Sequence, residues 1–447
     1  MTGKSLKIIF IGAIVGLVVA VAALQQFPGR ERGGESDEEY LLLLRKVMGV
    51  IGKSYLEPVD EKKLLRGAIN GMLASLDPHS VYLPADSFKE MEVSTTGSFG
   101  GVGLEITVKE GRLTVISPIE GTPAGRGGIK SGDHIALIDG LPTRDLTIGD
   151  AVKRMRGPQG SRVTLTLLRK GADKPLVIPL VREIIQVKSL RFRTLEPGYG
   201  YLRIMQFQSR TGADLTEALE QLRKENGGSL RGLILDLRNN PGGLLDQAVS
   251  VANHFVGQQS DNSLIVSTRG REKSSSQEFM ATIGVKEPPY PIVLLINGGS
   301  ASASEIIAGC LQDHGRAVIM GTQSFGKGSV QSIIGLPHNG GLLLTTGKYY
   351  TPKGRSIQAK GITPDIVVDD LVMDGKSSKE TTTFREKDLD NHLTDGATAP
   401  SAPLPPESPK SPAHSLADDR ARQDYQLQRG VDLLKGWDLL RKAVKKN

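Results

Sequence analysis

The longest apolar stretch of the chain lies near its start. Residues 8–24 (IIFIGAIVGLVVAVAAL) are uncharged and follow a short basic segment, MTGKSLK. The run exceeds the ~7–15 residues of a signal-peptide core and reaches the lower limit of a membrane-spanning helix, about 17–25 residues. The basic flank predicts that residues 1–27 are a signal or an inner-membrane anchor, and that the rest of the chain is periplasmic. Cleavage after the small-x-small pattern Ala20-Val21-Ala22 stays open, and a buried core helix is the alternative.

Apolar positions at helical spacing follow this run. Glu39–Tyr55 and Glu61–Leu76 each carry an apolar stripe, which predicts a helical N-terminal region over residues 28–91. The sequence DPHSVYLP at 77–84 is rich in turn residues and interrupts that pattern.

From residue 92 to residue 182 the pattern predicts a β-rich domain. Two short helices are expected to begin at Thr122 and Thr147, because each threonine can cap the turn that follows. The strand candidates are Gly103–Val108, Leu113–Ile116, His134–Ile138, Val163–Arg169 and Leu176–Leu180.

Residues 183–372 alternate between apolar strands and helices. Leu230–Leu237 and Ile292–Ile296 are apolar along their length, and each runs through small residues into a helix, at Leu245–Phe255 and Glu305–Gln312. Repeated strand–turn–helix units predict an α/β core. Further strand candidates are Ala317–Met320, Val330–Ile334, Leu342–Tyr349 and Asp365–Val368.

The last part of the chain changes character again. Residues 373–415 are polar and then proline-rich, which predicts an extended, flexible linker. Residues 416–447 carry apolar side chains at near-helical spacing, including Leu427, Val431 and Leu434, which predicts an amphipathic helix. Two interpretations stay open: the helix packs back on its own chain, or it is a docking or self-association element.

Composition excludes several classes of protein. A single cysteine, Cys310, excludes a disulfide scaffold and a zinc site built on cysteines. The net charge of +7 is spread along the chain without a basic aromatic face, so no nucleic-acid partner is expected. No metal site and no cofactor are predicted, because the chain lacks H-E-x-x-H and clustered His/Asp. The glycine content is unusual: 53 residues, or about 12%, against ~7% in an average protein. It indicates many turns with positive φ, or many places where the backbone approaches another group closely.

Candidate chemistry is concentrated in INGGSASASEIIAGCLQDHGRAVIMGTQSFGKGSVQS, residues 296–332. Ser300, Ser302 and Ser304 stand where free N–H groups at a helix start could stabilise an oxyanion, although helix capping is the simpler account. Lys327 lies between two glycines after Phe325, where loss of water would lower its pKa and make it a general base.

Two further observations bear on that base. An extended segment would place Gln331 on the face of Lys327, where its amide could orient the amine. The seven histidines lie outside the usual catalytic motifs and G-x-S-x-G is absent, so a histidine-based triad is disfavoured.

A second glycine-rich motif lies in the β-rich domain. Gly101-Val102-Gly103-Leu104 precedes a strand, and GIKSGDHIALIDG follows at 128–140. Successive N–H groups of such a turn form an anion-binding nest beside an open strand edge. This order of elements resembles a circularly permuted PDZ domain, in which Gly101, Val102, Gly103 and Leu104 would bind a substrate's terminal carboxylate.

Taken together, GGSASASE, FGKGSVQ, TPKGRSIQAKGITPD, DPHSVYL and LDLRNNPGG resemble the carboxyl-terminal processing (tail-specific) serine proteases over about residues 37–370. The resemblance implies a crotonase/ClpP-like α/β core with an inserted PDZ domain. It also implies Ser302 as nucleophile, Lys327 as base, Gln331 as its support, and the amides of Ala303 and Gly243 as an oxyanion hole. The substrates would be proteins with unstructured apolar C-termini.

Alternatives within this interpretation stay open. A non-catalytic PDZ scaffold is the rival, although Ser302, Lys327 and Gln331 are all present. An enzyme that is latent until an adaptor, an activator or homo-oligomer assembly switches it is the other. Arg156, at the end of a predicted PDZ helix, either couples the two domains or is a solvated helix-end arginine.

Overall fold

The computed structural model of the chain describes residues 37–257, 263–284, 286–337, 340–369, 384–394 and 424–444. The predicted signal or anchor and the proline-rich part of the predicted linker lie outside these residues. Within the described ranges, no helix is long and apolar enough to cross a membrane. The chain divides into two units, residues 1–68 and 69–447.

The first unit is helical where it is described. Helix α1 spans Asp37–Ser54 and helix α2, which continues beyond the unit, spans Glu61–Ala74. Three acidic residues in the first turn of α1 favour that end of the helix dipole. Helix α1 buries none of its side chains, and most of its apolar residues, such as Leu41, are exposed.

The second unit continues from α2 through a turn into a strand and a helix, β1 (Val81–Leu83) and α3 (Ala85–Thr96). Strand β1 was not predicted, because three residues are too few for a visible alternation, whereas α3 begins inside the predicted helical region 28–91 and extends beyond it. Gly97 ends α3 in the left-handed conformation, with φ 69°, as a helix C-cap requires.

The β-rich domain follows as predicted in type, with small differences in bounds. Its elements are β2 (Ser98–Gly101), β3 (Leu104–Lys109), β4 (Arg112–Pro118), α4 (Pro123–Arg126), β5 (His134–Ile138), β6 (Leu141–Pro142), α5 (Ile148–Met155), β7 (Arg162–Leu168), β8 (Leu176–Val181) and β9 (Glu183–Gln186). The main sheet has the order β3-β4-β5-β7-β8, with β6 paired to β5, and β2 pairs with β9 separately. Strand β3 is therefore an edge strand, and α5 packs beside it.

The α/β core consists of a second set of elements. They are β10 (Leu190–Glu196), β11 (Tyr199–Ile204), α6 (Thr211–Glu225), β12 (Gly232–Asp236), α7 (Leu245–Asn253), β13 (Leu264–Gly270), β14 (Gln277–Met280), β15 (Ile292–Ile296), α8 (Ala303–Asp313), β16 (Val318–Gly321), β17 (Ser329–Gly335), β18 (Gly341–Tyr350) and β19 (Ile366–Val367). A 3₁₀ turn at Lys273–Ser275 lies between β13 and β14.

The six-stranded sheet of this core runs β10-β11-β12-β15-β16-β19 and is parallel from β11 onward. Strands β12 and β15 are buried along their whole length, as their unbroken apolar sequences require in a sheet covered on both faces. On one face, Leu294 and its neighbours pack against α6, α7 and α8. An antiparallel sheet, β1-β18-β13-β14 with β17 on β18, lies beside it.

Helix α9 (Tyr425–Val444) covers the other face of the six-stranded sheet. Its residues Leu427, Val431 and Leu434 pack with Val293 and Leu295, which alternate with the residues that face α8. The helix therefore packs back on its own chain. The Trp437 side chain is 55% exposed and lines a pocket between α9 and the edge of the sheet, beside Met320 and Ile366.

One part of the predicted linker is packed rather than extended. Residues 384–394 include a 3₁₀ turn, Glu386–Asp388, and the side chain of Glu386 is fully buried. A polar sequence alone cannot reveal this packing, because the partners of Glu386 come from segments far along the chain.

Candidate active site

The turn between β15 and α8 holds Ser302 in an unusual backbone conformation. Its φ of 54° and ψ of −113° lie outside the regions that L-residues favour. The turn at residues 239–243 approaches Ser302 most closely at Gly242. A Cβ on Gly242 would lie 2.8 Å from the Cβ of Ser302, so only glycine fits there. Such strain persists only where the surrounding structure fixes it, which is common at functional sites.

The other two serines of SASAS have structural partners. The Ser300 hydroxyl donates to the carbonyl of Leu237 at 2.8 Å, and the Ser304 hydroxyl donates to the carbonyl of Asn240 at 2.9 Å. Both side chains are fully buried, whereas Ser302 is half-buried and is held through its backbone N–H. The geometry therefore separates Ser302 from its neighbours, which the sequence alone could not do.

The carboxylate of Glu305 joins the serine turn to the lysine loop. Its Oε2 accepts from the N–H groups of Ser302 (2.8 Å) and Lys327 (2.9 Å). Its Oε1 accepts from the Ser324 hydroxyl (2.5 Å) and the Gly326 N–H (2.7 Å). Burial raises the pKa of Glu305 to about 7, and these four donors act in the opposite direction.

Glu305 is the last residue of the motif GGSASASE, but the sequence alone assigned it no role. The available signal was its spacing from Ser302, since S-x-x-E is the capping-box pattern at a helix start. In this turn the carboxylate does accept the N–H of Ser302, and it also reaches the lysine loop.

Lys327 lies on a loop fixed at both ends. The Phe325 N–H donates to the Ser300 carbonyl at 3.0 Å, and the Gly328 N–H donates to Gln358 Oε1 at 3.0 Å. Gly328 must be glycine because a Cβ there would lie 2.3 Å from the backbone nitrogen of Gln358. Burial lowers the pKa of the Lys327 ammonium, as predicted, and the carboxylates of Glu386, Asp77 and Glu305 oppose that shift in this order.

Gln331 lies near this loop, but its recorded partners differ from the predicted one. Its amide nitrogen donates to the hydroxyls of Ser329 (3.0 Å) and Thr345 (3.2 Å), and Thr345 in turn donates to Asp77 (3.0 Å). A β-bulge between Val330 and Gln331 interrupts the simple alternation on which the sequence argument relied.

The turn at 239–243 lies against the serine turn. The Asn240 carbonyl accepts from the Ala301 N–H at 3.0 Å, and the Asn240 side chain accepts from the Gly242 N–H at 2.9 Å. A Cβ on Gly242 would lie 3.0 Å from the Ala303 nitrogen. Within the described residues, the N–H groups of Gly243 and Ala303 donate no hydrogen bond.

Arg238 anchors this turn to helix α9. Its guanidinium donates to both oxygens of Asp236, to both oxygens of Asp424 (2.9 and 2.7 Å) and to Gln426 (2.9 Å). The arginine is almost fully buried. The neighbouring carboxylates of Asp236 and Asp424 raise the pKa of Arg238 although burial alone would lower it, so its charge is permanent.

The predicted carboxylate loop lies at the edge of the β-rich domain. Gly103 has a φ of 78°, and a Cβ there would lie 2.3 Å from the Thr122 hydroxyl. The carbonyl of buried Val102 accepts from the Ala124 N–H at 2.8 Å, so the loop is attached to α4. Leu104 begins the edge strand β3, which pairs only with β4 among the described strands, so its other side could accept another chain.

Arg156 is half-buried and lies between the β-rich domain and helix α3. Its guanidinium lies 4.3 Å from the centre of the Phe99 ring, in a groove lined also by Glu90 and Val93 of α3. Among the described residues, no group of three His, Cys, Asp or Glu side chains is placed to hold a metal ion.

Comparison with known proteins identifies the family. The chain matches a model of Peptidase family S41 over residues 198–368, a PDZ domain over 100–180, and the activating protease CtpB N-terminal domain over 12–87. It is 48% identical over 382 residues to a carboxy-terminal-processing protease of Bartonella bacilliformis, covering 84% of this chain and 85% of that protein. A carboxyl-terminal-processing protease of Synechocystis is 37% identical, with 70% and 73% coverage.

Among solved structures, the photosystem II D1 C-terminal processing protease aligns with 75% of this chain and 94% of its own, at 29% identity and a TM-score of 0.42. The sequence identities to the curated relatives confirm the resemblance drawn from the motifs. The chain belongs to the carboxy-terminal-processing proteases, serine-type peptidases of family S41 that carry a PDZ domain.

Proposed function

We propose that the chain is an endopeptidase with a Ser302/Lys327 dyad that cleaves proteins selected by their C-terminal tails, in the cell envelope. One observation carries the proposal. A single buried carboxylate oxygen of Glu305 binds the backbone N–H groups of both Ser302 and Lys327. The two backbone nitrogens are thus at most about 6 Å apart, which is within reach of a serine–base pair.

The chemistry follows from the charge state of the base. Burial lowers the pKa of Lys327 and so favours its neutral amine, the form that would remove the proton from the Ser302 hydroxyl as its oxygen attacks a peptide carbonyl. The carbonyl oxygen becomes an oxyanion that accepts from the N–H groups of Gly243 and Ala303. Lys327 then gives the proton to the leaving amine, and water hydrolyses the acyl-enzyme by the same route.

Gln331 acts one step away from the dyad. Its amide belongs to the hydrogen-bonded chain that runs through Thr345 to Asp77, one of the carboxylates that act on Lys327. We assign it to orienting the base loop, and the core to the crotonase/ClpP-like type, which the parallel sheet with helices on both faces supports.

Substrate selection would use the edge of strand β3. An apolar, unstructured tail adds to that edge as a further strand, and its terminal carboxylate binds at Gly101–Leu104. Residues 8–24 would direct or anchor the protein to the inner membrane, with the enzyme in the periplasm. The second candidate is a latent form that an adaptor or self-association activates, which the exposed apolar side chains of α1 favour.

The test uses one peptide in two forms. An unstructured peptide with an apolar C-terminus is offered with a free terminal carboxylate or as the terminal amide. We expect the free acid to be cleaved with a kcat/KM about 10- to 100-fold higher, because a charge-assisted contact of about 1.5–3 kcal/mol is lost in the amide. In parallel, a fluorophosphonate probe should label Ser302, as mapped by mass spectrometry. Labelling confined to Ser300 or Ser304 would contradict the assignment.

A glycine substitution tests the oxyanion turn. We expect Gly243→Ala to lower kcat by about 10²-fold or more, because it disturbs an oxyanion donor. A Cβ at Gly243 would lie 2.1 Å from the Phe207 carbonyl oxygen, so the turn has to move. The matched control is Gly315→Ala, which also has a positive φ, 61°, but meets no atom within 4 Å. It should lower thermal stability slightly and leave kcat unchanged; equal kcat values for both variants would count against the role of this turn.

A further inference from the structure

The buried carboxylate of Glu386 reaches the base loop from a distant segment. Its backbone N–H donates to the Phe325 carbonyl at 3.2 Å, two residues before Lys327. Glu386 lies after the end of the matched peptidase region at residue 368, and its side chain is fully buried. The chain thus returns to the active site after the core has been completed.

Two side chains bind this carboxylate. His79 Nε2 lies 2.9 and 2.8 Å from its two oxygens, and Gln358 Nε2 donates to Oε1 at 2.8 Å. A carboxylate accepts hydrogen bonds, so Nε2 of His79 carries a proton in this arrangement. Gln358 also accepts the Gly328 N–H through its own oxygen, at 3.0 Å. Glu386 is therefore connected to the loop of Lys327 on both sides of the lysine.

Charged groups face Lys327 from three parts of the fold. Glu386 comes from residues 384–394, Asp77 from the turn before β1, and Glu305 from helix α8. His79 lies against Glu386, and Asp77 is hydrogen-bonded to Ser80 and Thr345. Burial lowers the pKa of Lys327, and Glu386 opposes that effect more than the other two carboxylates do. A general base works best when its pKa lies near the working pH, and Glu386 is one of the charges that act on the pKa of Lys327.

We propose that Glu386 is a positioning residue for Lys327: together with His79 and Gln358, it fixes the loop that carries the base and balances the charge of its ammonium group. This inference rests on the proposed dyad and extends it. The role belongs to a segment whose sequence, FREKDLDNHLT, contains no catalytic motif.

The test compares Glu386→Gln with the unmodified protein over a range of pH. Removing the negative charge favours the neutral amine, so the acidic limb of kcat/KM is expected to move about one unit toward lower pH. The KM should stay within twofold. The same shift should occur in the rate at which a fluorophosphonate probe labels Ser302, a measurement that needs no peptide substrate. If the His79–Glu386 pair served only folding, the acidic limb of kcat/KM would not move.

Two further variants separate charge from position. Glu386→Asp keeps the charge but shortens the side chain, so its limb should stay near that of the unmodified protein while kcat falls severalfold. Asp390→Asn removes an exposed carboxylate of the same segment and should change neither quantity. If Glu386→Gln melts before assay, Glu386→Asp decides: an unaltered kcat overturns the proposal.

Loss of the dyad and loss of the Glu386 role would give different results. No labelling of Ser302 in the unmodified protein defeats the proposed dyad itself. If the unmodified protein is labelled, and folded Glu386→Gln has the same acidic limb in its pH profile, only the role of Glu386 is excluded.

Discussion

Replacing Ser302 with alanine is expected to reduce kcat by about 10⁴-fold or more, because the acyl-enzyme can no longer form. The loss should be confined to chemistry. The backbone N–H that binds Glu305 is retained, and alanine at a half-buried site leaves no unpaired polar group. Thermal unfolding should therefore be unchanged, and tail peptides should still bind with unaltered affinity. The measurements are kcat for a peptide substrate, the melting temperature and peptide binding.

Ser304→Ala is the matched control for this prediction. It removes a hydroxyl two residues away that donates to the Asn240 carbonyl, at a fully buried position. We expect it to lower the free energy of unfolding by about 1–3 kcal/mol while most activity is retained at low temperature. Activity in Ser302→Ala, or a greater loss of kcat in Ser304→Ala, would exclude Ser302 as the nucleophile.

Glu305→Gln is expected to damage both stability and activity. A glutamine has one acceptor oxygen, so its NH₂ group would face two of the four donors that now bind the carboxylate. Leaving two buried donors unsatisfied costs about 2–6 kcal/mol. The serine turn and the lysine loop also lose their common anchor, and a displacement of ~1 Å between reacting groups costs about 10²-fold in rate. Thermal unfolding and kcat measure the two effects separately.

The contribution of Glu305 to stability is expected to depend on pH. The folded-state pKa of Glu305, raised by burial to about 7, lies above the ordinary value of 4.5, so the folded protein retains a proton that the unfolded chain releases. The contribution of this group to stability is therefore complete below about pH 4.5 and declines as the pH rises toward about 7. The stability gap between the unmodified protein and Glu305→Gln should narrow over that range. Glu120→Gln, at an exposed site in the β-rich domain, should show a constant gap.

The sequence was most informative where a single segment determines the structure. Strands β12 and β15 are apolar throughout because both faces of the sheet are covered, and they were found nearly at their observed bounds. The capped helix α5 was also found, since Thr147 and Asp150 form a capping box within four residues. In the site, the desolvation of Lys327 followed from its glycine neighbours and Phe325.

Features that depend on distant partners could not be predicted in the same way. The contact between His79 and Glu386 joins residues 307 positions apart, and no local pattern indicates that the two residues are partners. The side of α9 that packs was visible, but its partner was not, because an amphipathic helix looks the same whether it covers its own sheet or another protein. The two serines beside Ser302 were separated only by their hydrogen bonds to backbone carbonyls.

The clasp of Arg238 by helix α9 has a consequence for the order of synthesis. Asp424, which binds the guanidinium through both oxygens, is made 186 residues after the arginine. Until Asp424 has been synthesised, the guanidinium of Arg238, next to the turn that carries Gly243, has only the carboxylate of Asp236 as an ionic partner. A nascent chain that already contains Ser302 and Lys327 therefore lacks one of the two carboxylates that hold this turn in the finished protein.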